Sequence, residues 1–397
     1  MKRIIYIMSF VVILFSVLQP PNVNANDIYV PFEKKENKNL SSNDIINFTD
    51  PNLKQALLEY YKFHIDKKYT GQDLTVSMLE KFTSLTLSWS NIFSLDGLEY
   101  AVNLKNLNLA NNFIEDTTPL KNLINLKTLD LSHNKIKELD SLSNLKKITE
   151  LSVKKNLISK LDFLSDMNLE KLDLSYNSSV KSEIKKIKLN NLSSLNISNM
   201  EINNIDFIKD LEKLEILIAE GNKIVDINAV KNLKNLRILY LDKNNIENIN
   251  ALENLENLEE VLLYKNNITN IESLKNKEKL YRLMLNDNQG LENIDILKTL
   301  KNLSSLDISN TKVIDISSLS ELKNLYYVAI KDTKLNKDNI ENFEKANTQI
   351  KKQNNIDKKL EIINNDAKKY FSLKNYIFMT ILSLLVLSGI ISYFRKN

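Results

Sequence analysis

The strongest constraint on this chain is a 22-residue pattern that recurs about a dozen times, in the form L-x-x-L-x-L-x-x-N-x-I-x-x-I-x-x-L-x-x-L-x-x. Its clearest copies begin at Leu104, Leu126, Leu214, Leu236 and Leu258. A unit this short cannot bury its own apolar face, so neighbouring units must stack into a solenoid with a continuous core. The pattern therefore predicts an elongated repeat fold.

The repeat unit contains two different periods. Its fourth and sixth positions alternate with polar residues, as in Leu107-Asn108-Leu109, and a period of two predicts a short strand with one buried face. Apolar residues at positions 11, 14, 17 and 20 point inward from the other half, where so short a repeat has room only for turns or 3₁₀ coils. We expect a curved horseshoe with parallel strands on its concave face, about 55 Å long at ~4.8 Å per strand. An Asn at the ninth position is expected to bond buried backbone groups of the turn and the next coil.

The beginning of the chain is predicted to lie outside the repeat fold. Residues 1–25 combine the cations Lys2 and Arg3, an apolar run and a small residue at Ala25. This order is typical of a secretory signal peptide cleaved after Ala25, with an uncleaved anchor as the alternative. A flexible linker is predicted over 26–43.

The end of the chain predicts a membrane anchor. Residues 376–394 carry no charge and would span about 28 Å as a helix at ~1.5 Å per residue, close to a hydrocarbon core of ~30 Å. Arg395 and Lys396 follow, so 395–397 are expected to be a cytoplasmic tail. A buried core helix is the alternative. Residues 336–375 are predicted to form a polar, partly helical stalk, and the chain a single-pass cell-membrane protein with an extracellular repeat domain.

Composition excludes several function classes. The chain has no cysteine, which favours a bacterial surface protein over a disulfide-capped secreted one. A net charge of +4 over 397 residues is too balanced to indicate nucleic-acid binding. The two histidines, His64 and His133, lie far apart, so a zinc site lacks ligands, and no nucleotide-binding or hydrolase motif occurs. We therefore expect no enzyme activity, no cofactor and no metal.

The segment before the repeats predicts a helical cap over 44–81. Within Ile46–Leu57, Asp50 is a good N-cap residue and Pro51 suits the first helical turn. The segment Ile92–Ala101 then leads into the regular repeats. Together with the 22-residue motif, these two segments resemble the internalin-like leucine-rich repeat proteins of low-GC Gram-positive bacteria.

The resemblance covers roughly residues 44–335 and implies a leucine-rich repeat solenoid with about 11–12 repeats over 82–335. In that family many members bind protein partners through the concave face. The chain departs from the pattern by having no immunoglobulin-like domain after the repeats and no sortase motif of the LPxTG type. It is therefore expected to be a non-enzymatic surface protein, held by its membrane helix, that binds a protein partner. The alternative is a membrane-proximal envelope scaffold or a protein that binds cell-wall polymer, rather than a host-cell adhesin.

One column of strand positions predicts where a partner binds. The fifth position is polar in the first six repeats and then large and apolar in four consecutive repeats. Exposed apolar patches and aromatic anchors are typical of interaction sites. The predicted partner-binding residues are Ile216, Ile218, Ile238, Tyr240, Leu262, Tyr264, Tyr281 and Met284. The predicted polar rim consists of Glu220, Asp242, Lys243, Lys265, Arg282 and Asp287.

Two other interpretations of this column stay open: cover by other segments of the chain, or β-propensity alone. Trp89, His133, Tyr176 and Tyr327 are further candidates on the same face. Each is single, and single exposed aromatic residues are common on protein surfaces without any function.

Overall fold

The computed structural model of this protein describes residues 40–164, 166–186, 189–353 and 361–363. The predicted signal peptide (1–25), membrane helix (376–394) and tail (395–397) lie outside the described residues and stay predictions. Within the described ranges, no helix has both the length and the apolar character needed to cross a bilayer.

The repeats build one parallel sheet in which every strand pairs with its neighbour in the sequence. Equivalent residues pair in register, so that Leu107 lies opposite Leu129 and Leu129 opposite Leu151. Side chains at one repeat position therefore form a column along the solenoid, and the predicted leucine-rich repeat architecture is confirmed. The described strands are β1 (Ser84–Thr86), β2 (Asn106–Asn108), β3 (Thr128–Asp130), β4 (Glu150–Ser152), β5 (Lys171–Asp173), β6 (Ser194–Asn196), β7 (Ile216–Ile218), β8 (Ile238–Tyr240), β9 (Glu260–Leu262), β10 (Arg282–Met284), β11 (Ser305–Asp307), β12 (Tyr327–Ala329) and β13 (Glu361–Ile363).

The convex side consists of short 3₁₀ segments, as the short repeat predicts. The inward positions of one unit, Ile246, Ile249, Leu252 and Leu255, are at most 1% exposed and belong to a core that runs the length of the repeats. The 3₁₀ segments are Leu98–Tyr100, Thr118–Asn122, Asp140–Leu142, Asp162–Leu164, Ser178–Val180, Ile184–Lys186, Asp206–Ile208, Asn228–Val230, Asn250–Leu252, Glu272–Leu274, Asp295–Thr299 and Ser317–Glu321.

Where the ninth position is Asn, as in eight of the twelve repeats, its side chain ties the repeat to the one before it. Asn134 Nδ2 donates to the carbonyl oxygens of Leu109 and Leu131 at 3.0 Å each, and Asn134 Oδ1 accepts from the Ile114 N–H at 3.0 Å. The predicted bonding to buried backbone is present, but it reaches the preceding coil rather than the following one. A short amide that makes three bonds at once is well suited to this place, because buried backbone groups are costly to leave unpaired.

The N-terminal cap covers the first repeat with two helices. Helix α1 (Pro51–Tyr60) continues as a π-helical turn (Tyr61–Ile65), and helix α2 (Val76–Leu79) leads into β1. The Tyr60 and Tyr61 rings pack edge-on against Phe82, which is fully buried. The open end of the core is thereby closed with aromatic side chains.

Asp50 joins this cap to the repeats. Its Oδ1 atom accepts from the N–H groups of Asn52 (2.7 Å) and Leu53 (3.4 Å), which confirms the predicted N-cap. Its Oδ2 atom accepts from the N–H groups of Phe93 (2.6 Å) and Ser94 (3.1 Å). One fully buried carboxylate thus begins the helix and also fixes the junction that leads into the regular repeats.

The other end of the solenoid is covered by helix α3 (Lys337–Gln353), which places Phe343 in the core at 2% exposure. Beyond it, β13 pairs with β12 in parallel. The described part of the predicted stalk is therefore an ordered cap, and its added strand pairs an edge that would otherwise stay open to other chains.

Candidate functional site

The fifth-position side chains of the concave face have different roles in β1 to β6 and in β7 to β10. In the first six repeats several of them bond the backbone two residues ahead. Asp130 Oδ1 accepts from the Ser132 N–H at 2.9 Å, and Asp173 Oδ1 accepts from the Ser175 N–H at 2.9 Å. Such Asx bonds stabilise the turn that follows each strand. The polarity of this column therefore serves the fold.

From β7 to β10 the fifth position is apolar, and in β7 and β8 the third position is apolar as well. The register places Ile216 beside Ile238, Ile218 beside Tyr240, and Tyr240 beside Leu262. These side chains are half-buried, while Tyr281 is 40% exposed. The name C-terminal patch is used below for seven residues: Ile216, Ile218, Ile238, Tyr240, Leu262, Tyr264 and Tyr281.

Met284, the eighth predicted residue, is only 9% exposed. It lies beside Leu262 in the sheet register and supports the patch from its edge rather than forming part of its open surface. The fifth-position column thus recedes from solvent at β10.

Glu260 lies at the centre of the patch and was not predicted from the sequence. Its carboxylate accepts hydrogen bonds from the Tyr240 hydroxyl at 2.8 Å and from the Tyr281 hydroxyl, and Arg282 Nη1 lies 3.3 Å away. The bond from Tyr281 raises the pKa of that hydroxyl to about 12, and burial together with Glu260 raises the pKa of Tyr240 further. Both phenols therefore stay protonated and are held in fixed orientations. The corresponding signal in the sequence is an acidic residue at the third position of one repeat, with a tyrosine in the preceding repeat and another in the following repeat.

Asp242 is fully buried, contrary to the prediction that it belongs to the exposed rim. Lys243 Nζ lies 3.9 Å from its Oδ2 atom and 3.8 Å from Oε2 of Glu220, and it also stands 5.5 Å from the centre of the Tyr264 ring. Neither carboxylate oxygen of Asp242 accepts a well-formed hydrogen bond. Burial raises the pKa of Asp242 to about 6, and the carboxylate of Glu220 adds to this rise.

The other predicted rim residues lie at the surface around the patch. Lys265 and Arg282 are exposed, while Glu220 and Asp287 are half-buried. Arg237 extends the rim, since its guanidinium lies between Glu259 at 2.8 Å and Glu215 at 3.4 Å. The patch is therefore apolar and aromatic at its centre and charged with both signs at its margin.

Comparison with known proteins agrees with this architecture. The family of Leucine Rich repeats (2 copies) matches residues 124–166. The solved structure of an internalin, InlF of Listeria monocytogenes, superposes with a TM-score of 0.65 at 26% identity, over 75% of this chain and 87% of that one. The chain is an internalin-like leucine-rich repeat protein.

More distant relatives share the fold of this internalin-like chain. The functional domain of InlJ from Listeria monocytogenes matches at 20% identity with a TM-score of 0.51, over 75% of this chain and 73% of that one. A leucine-rich repeat protein of Leptospira interrogans matches at 21% identity with a TM-score of 0.50, over 72% and 85%. The InlJ domain is described as including a cysteine ladder, whereas this chain contains no cysteine and stacks its repeats through asparagine. A search of curated protein sequences finds no match.

The described residues of the internalin-like chain contain no group of three His, Asp or Glu side chains that could hold a metal ion. The concave face can contact the surface of another molecule, because it offers apolar area, phenol hydroxyl groups and a charged margin. Leucine-rich repeat proteins are in general non-catalytic binding scaffolds, and their extended concave surfaces are suited to this use.

Proposed function

We propose that this chain is a non-enzymatic binding protein of the cell surface that recognises a protein partner through the C-terminal patch. The observation that carries the proposal is the patch itself: seven neighbouring apolar and aromatic side chains, partly open to solvent on a sheet whose opposite face already supplies the core. A folded repeat domain gains nothing by leaving such residues in contact with water. Contiguous apolar surface rimmed by charge is typical of protein interaction sites.

The arrangement of the tyrosines supports binding of a protein. Tyr240 and Tyr281 are both held by Glu260, so their rings are ordered before a partner arrives. Ordering a side chain in advance lowers the entropy lost on association, and Tyr is among the residues that most often carry interface energy. The rim with both charge signs would orient the partner and exclude proteins with the wrong charge pattern.

The proposal includes the location of the protein. We propose that the repeat domain lies outside the cell and is tethered by the helix predicted over 376–394, after removal of the signal peptide predicted over 1–25. These two segments supply the support, because both patterns are present in the sequence. Protease digestion of intact cells should remove the repeats and leave a short membrane-bound fragment.

The test of partner binding uses the full chain with a photoreactive amino acid in place of Tyr281, expressed in the cells that make the protein. Illumination should give a discrete crosslinked protein. Adding Tyr240→Ser and Leu262→Ser should lower the yield of this product at least tenfold, because two central contacts are lost.

The matched control variant carries Leu157→Ser and Val225→Ser, which remove two side chains that are 55% and 56% exposed outside the patch. It should crosslink like the unaltered chain, and both double variants should keep the melting temperature nearly unchanged. An equal yield from the patch variant would contradict the proposal. Unfolding of that variant would mean that Tyr240 and Leu262 act as core residues.

A further inference from the structure

The eighth position of each repeat adopts left-handed backbone, with φ between 51° and 65° in all twelve described units. Six units place Gly, Asn or Asp there, the residues that tolerate this region best. Trp89 (φ 61°) and Tyr176 (φ 62°) occupy the same backbone with large aromatic side chains. The fold does not require an aromatic ring at this position, and the backbone is strained by one.

These two residues and His133 form a ladder along the first half of the solenoid. Trp89 follows β1, His133 follows β3 and Tyr176 follows β5, each three residues after the strand ends. Their N–H groups donate to the seventh-position carbonyl of the next repeat, at 3.1, 2.7 and 2.9 Å respectively, so the sheet register extends to them. The three residues therefore stand two strands apart, at a spacing of ~9.6 Å along the sheet. They are called the aromatic ladder below.

The aromatic ladder is open to solvent. Trp89 is 75% exposed and Tyr176 is 45% exposed, while His133 is half-buried. Burial lowers the pKa of His133, and the nearby cations Lys155 and Lys154 lower it further against the opposite effect of Asp130 and Asp173, which favours the neutral ring. Lys154 Nζ also stands 5.5 Å from the centre of the Tyr176 ring. Three aromatic side chains with solvent-accessible surface thus recur at a regular spacing.

Between the aromatic ladder and the strands lies a column of small residues. The seventh position is Ser or Ala in five of the first six repeats: Ser88, Ala110, Ser132, Ser175 and Ser198. Beside it, a groove of about 430 Å³ follows β1 to β6 and is lined by polar side chains that include Asn106, Asn108 and Thr128. A rigid chain lying on the rings meets small seventh-position side chains in these five units, and in the fourth repeat it meets the long side chain of Lys154, which stands over the Tyr176 ring.

Charge decides which kind of polymer fits. The floor of the groove carries the carboxylates of Asp130, Glu150 and Asp173 and the single cation Lys171, which is paired with Glu150 at 2.8 Å. Together with Lys154 and Lys155 beside the rings, these charges balance, so the site has no excess of positive charge to attract a nucleic acid or an anionic polysaccharide. Hydroxyl-rich, uncharged polymers can instead use the Asn, Thr and carboxylate oxygens as hydrogen-bond partners.

We propose that the aromatic ladder binds an uncharged, linear β-1,4-linked glycan that lies along the solenoid axis. A pyranose ring presents an apolar C–H face that packs on an aromatic face, and its hydroxyl groups remain free to bond polar side chains. In an extended β-1,4 chain the same face recurs every two sugars, at a distance close to the two-strand spacing of Trp89, His133 and Tyr176. A coiled α-1,4 chain does not keep this spacing.

The experiment uses Trp89, the single tryptophan of the sequence, as its probe. The full chain, purified in detergent, is titrated with cellohexaose, chitohexaose, maltohexaose and polygalacturonate while tryptophan emission is recorded. A saturable blue shift with cellohexaose or chitohexaose supports the proposal, and the tighter of the two identifies the preferred substituent at C2. No response to either at millimolar concentration, an equal response to the α-linked maltohexaose, or tighter binding of the polyanion would overturn it.

The decisive variant is Tyr176→Asn, since Asn111 and Asn199 already occupy the same left-handed position in this half. The variant should keep or raise the melting temperature and weaken glycan binding at least tenfold. Lys265→Asn makes the same change at an eighth position outside the aromatic ladder (φ 54°) and should bind like the unaltered chain. Unchanged affinity in Tyr176→Asn would overturn the proposal. The Tyr240→Ser, Leu262→Ser variant should bind glycan normally, so that this site and the C-terminal patch succeed or fail separately.

Discussion

Two stretches of one sheet, β1 to β6 and β7 to β10, share a backbone and differ in how they use the fifth and seventh positions. In the first stretch, fifth-position oxygens such as those of Asp130 and Asp173 are taken up by Asx bonds, and the seventh position is mostly small. In the second, the fifth position is apolar and the seventh carries Glu220, Asp242 and Tyr264. The same repeat can therefore present two surfaces while its strand leucines, such as Leu129 and Leu239, stay buried.

The two stretches also differ in the charges that they bury. Among the described repeat residues, the fully buried ionisable side chains are Asp242 and Lys277, both in repeats eight and nine. Lys277 occupies the inward twentieth position, where Leu233 and Leu255 stand in the preceding repeats. Its ammonium group bonds the Glu253 carbonyl and lies 3.7 Å from the Glu256 carboxylate. Of the two, Asp242 lies beside Tyr264 of the C-terminal patch, whereas the partners of Lys277 belong to the convex half of the repeats.

The largest effect is expected from exchanging residues at the twentieth position. Leu233→Lys should lower the free energy of unfolding by about 4 kcal/mol, because the cation enters a core without the acceptors that Lys277 has. Lys277→Leu should raise it by about 1–3 kcal/mol, because the residue found at this position in the two preceding repeats replaces a buried ion. Urea denaturation followed by circular dichroism measures both. Destabilisation by Lys277→Leu would mean that the bonds of the ammonium group outweigh its desolvation.

Asp242 should make the stability of the second stretch depend on pH. Its folded-state pKa of about 6 lies above the ordinary value of 3.8, so folding favours the protonated form. The contribution of protonated Asp242 to the free energy of unfolding is therefore complete below pH 3.8. It is lost as the pH rises through 6, and the loss amounts to at most about 3 kcal/mol. Asp242→Asn should flatten this part of the pH profile and be more stable than the unaltered chain at pH 7.5. Urea midpoints measured from pH 4 to 7.5 test this, and parallel profiles would refute it.

Exchanging polar and apolar fifth-position residues between the two stretches should have a smaller effect on stability. The effect should also differ between the two directions of exchange. Asp173→Ile removes the acceptor for the Ser175 N–H and hydroxyl and for the Asn196 amide, which should cost about 1–3 kcal/mol. Ile218→Asn should change stability by less than about 1 kcal/mol, because the new amide can form the Asx bond used elsewhere in the column. It should nevertheless weaken partner capture. Equal destabilisation by the two changes would show that the stretches do not differ as described.

The smallest effect is expected at Glu260. Glu260→Gln removes the negative charge of the carboxylate that accepts hydrogen bonds from Tyr240, Tyr281 and Arg282. The change should lower the free energy of unfolding by about 0.5–1.5 kcal/mol. Its control is Glu259→Gln, next to it in the sequence, which loses a solvent-facing pair with Arg237 and should have little effect. In thermal melts, Glu260→Gln should therefore have the lower melting temperature of the two variants. A larger loss from Glu259→Gln would contradict the central role of Glu260.

Several features of the site could be predicted because they depend on repeat position alone. The alternation around Leu107 and Leu239 fixes which side chains face the core, and the pairing in register then places Ile218, Tyr240 and Leu262 side by side. The cap was predictable for a local reason as well, since Asp50 and Pro51 begin a helix wherever they stand.

Other features depended on neighbours that are distant in the sequence. Asp242 looked like an exposed rim residue, yet the seventh-position residues of the adjacent repeats, Glu220 and Tyr264, bury it with Lys243. Glu260 looked like an ordinary polar strand residue until Tyr240 and Tyr281 met it from either side. Apart from the contact of Asp242 with its sequence neighbour Lys243, these contacts join residues about one repeat apart, and the repeat pattern does not determine the directions of their side chains.

The sequence by itself determined the repeat, the inward and outward faces, the asparagine ladder and the change of chemistry after β6. Only the tertiary structure decided that Met284 and Asp242 are buried, that Glu260 joins two tyrosines, and that Trp89, His133 and Tyr176 have left-handed backbone. The physical reason is that a residue's position in the repeat fixes the face to which its side chain points. Its exposure and its partners are set instead by side chains on the neighbouring strands, ~4.8 Å away.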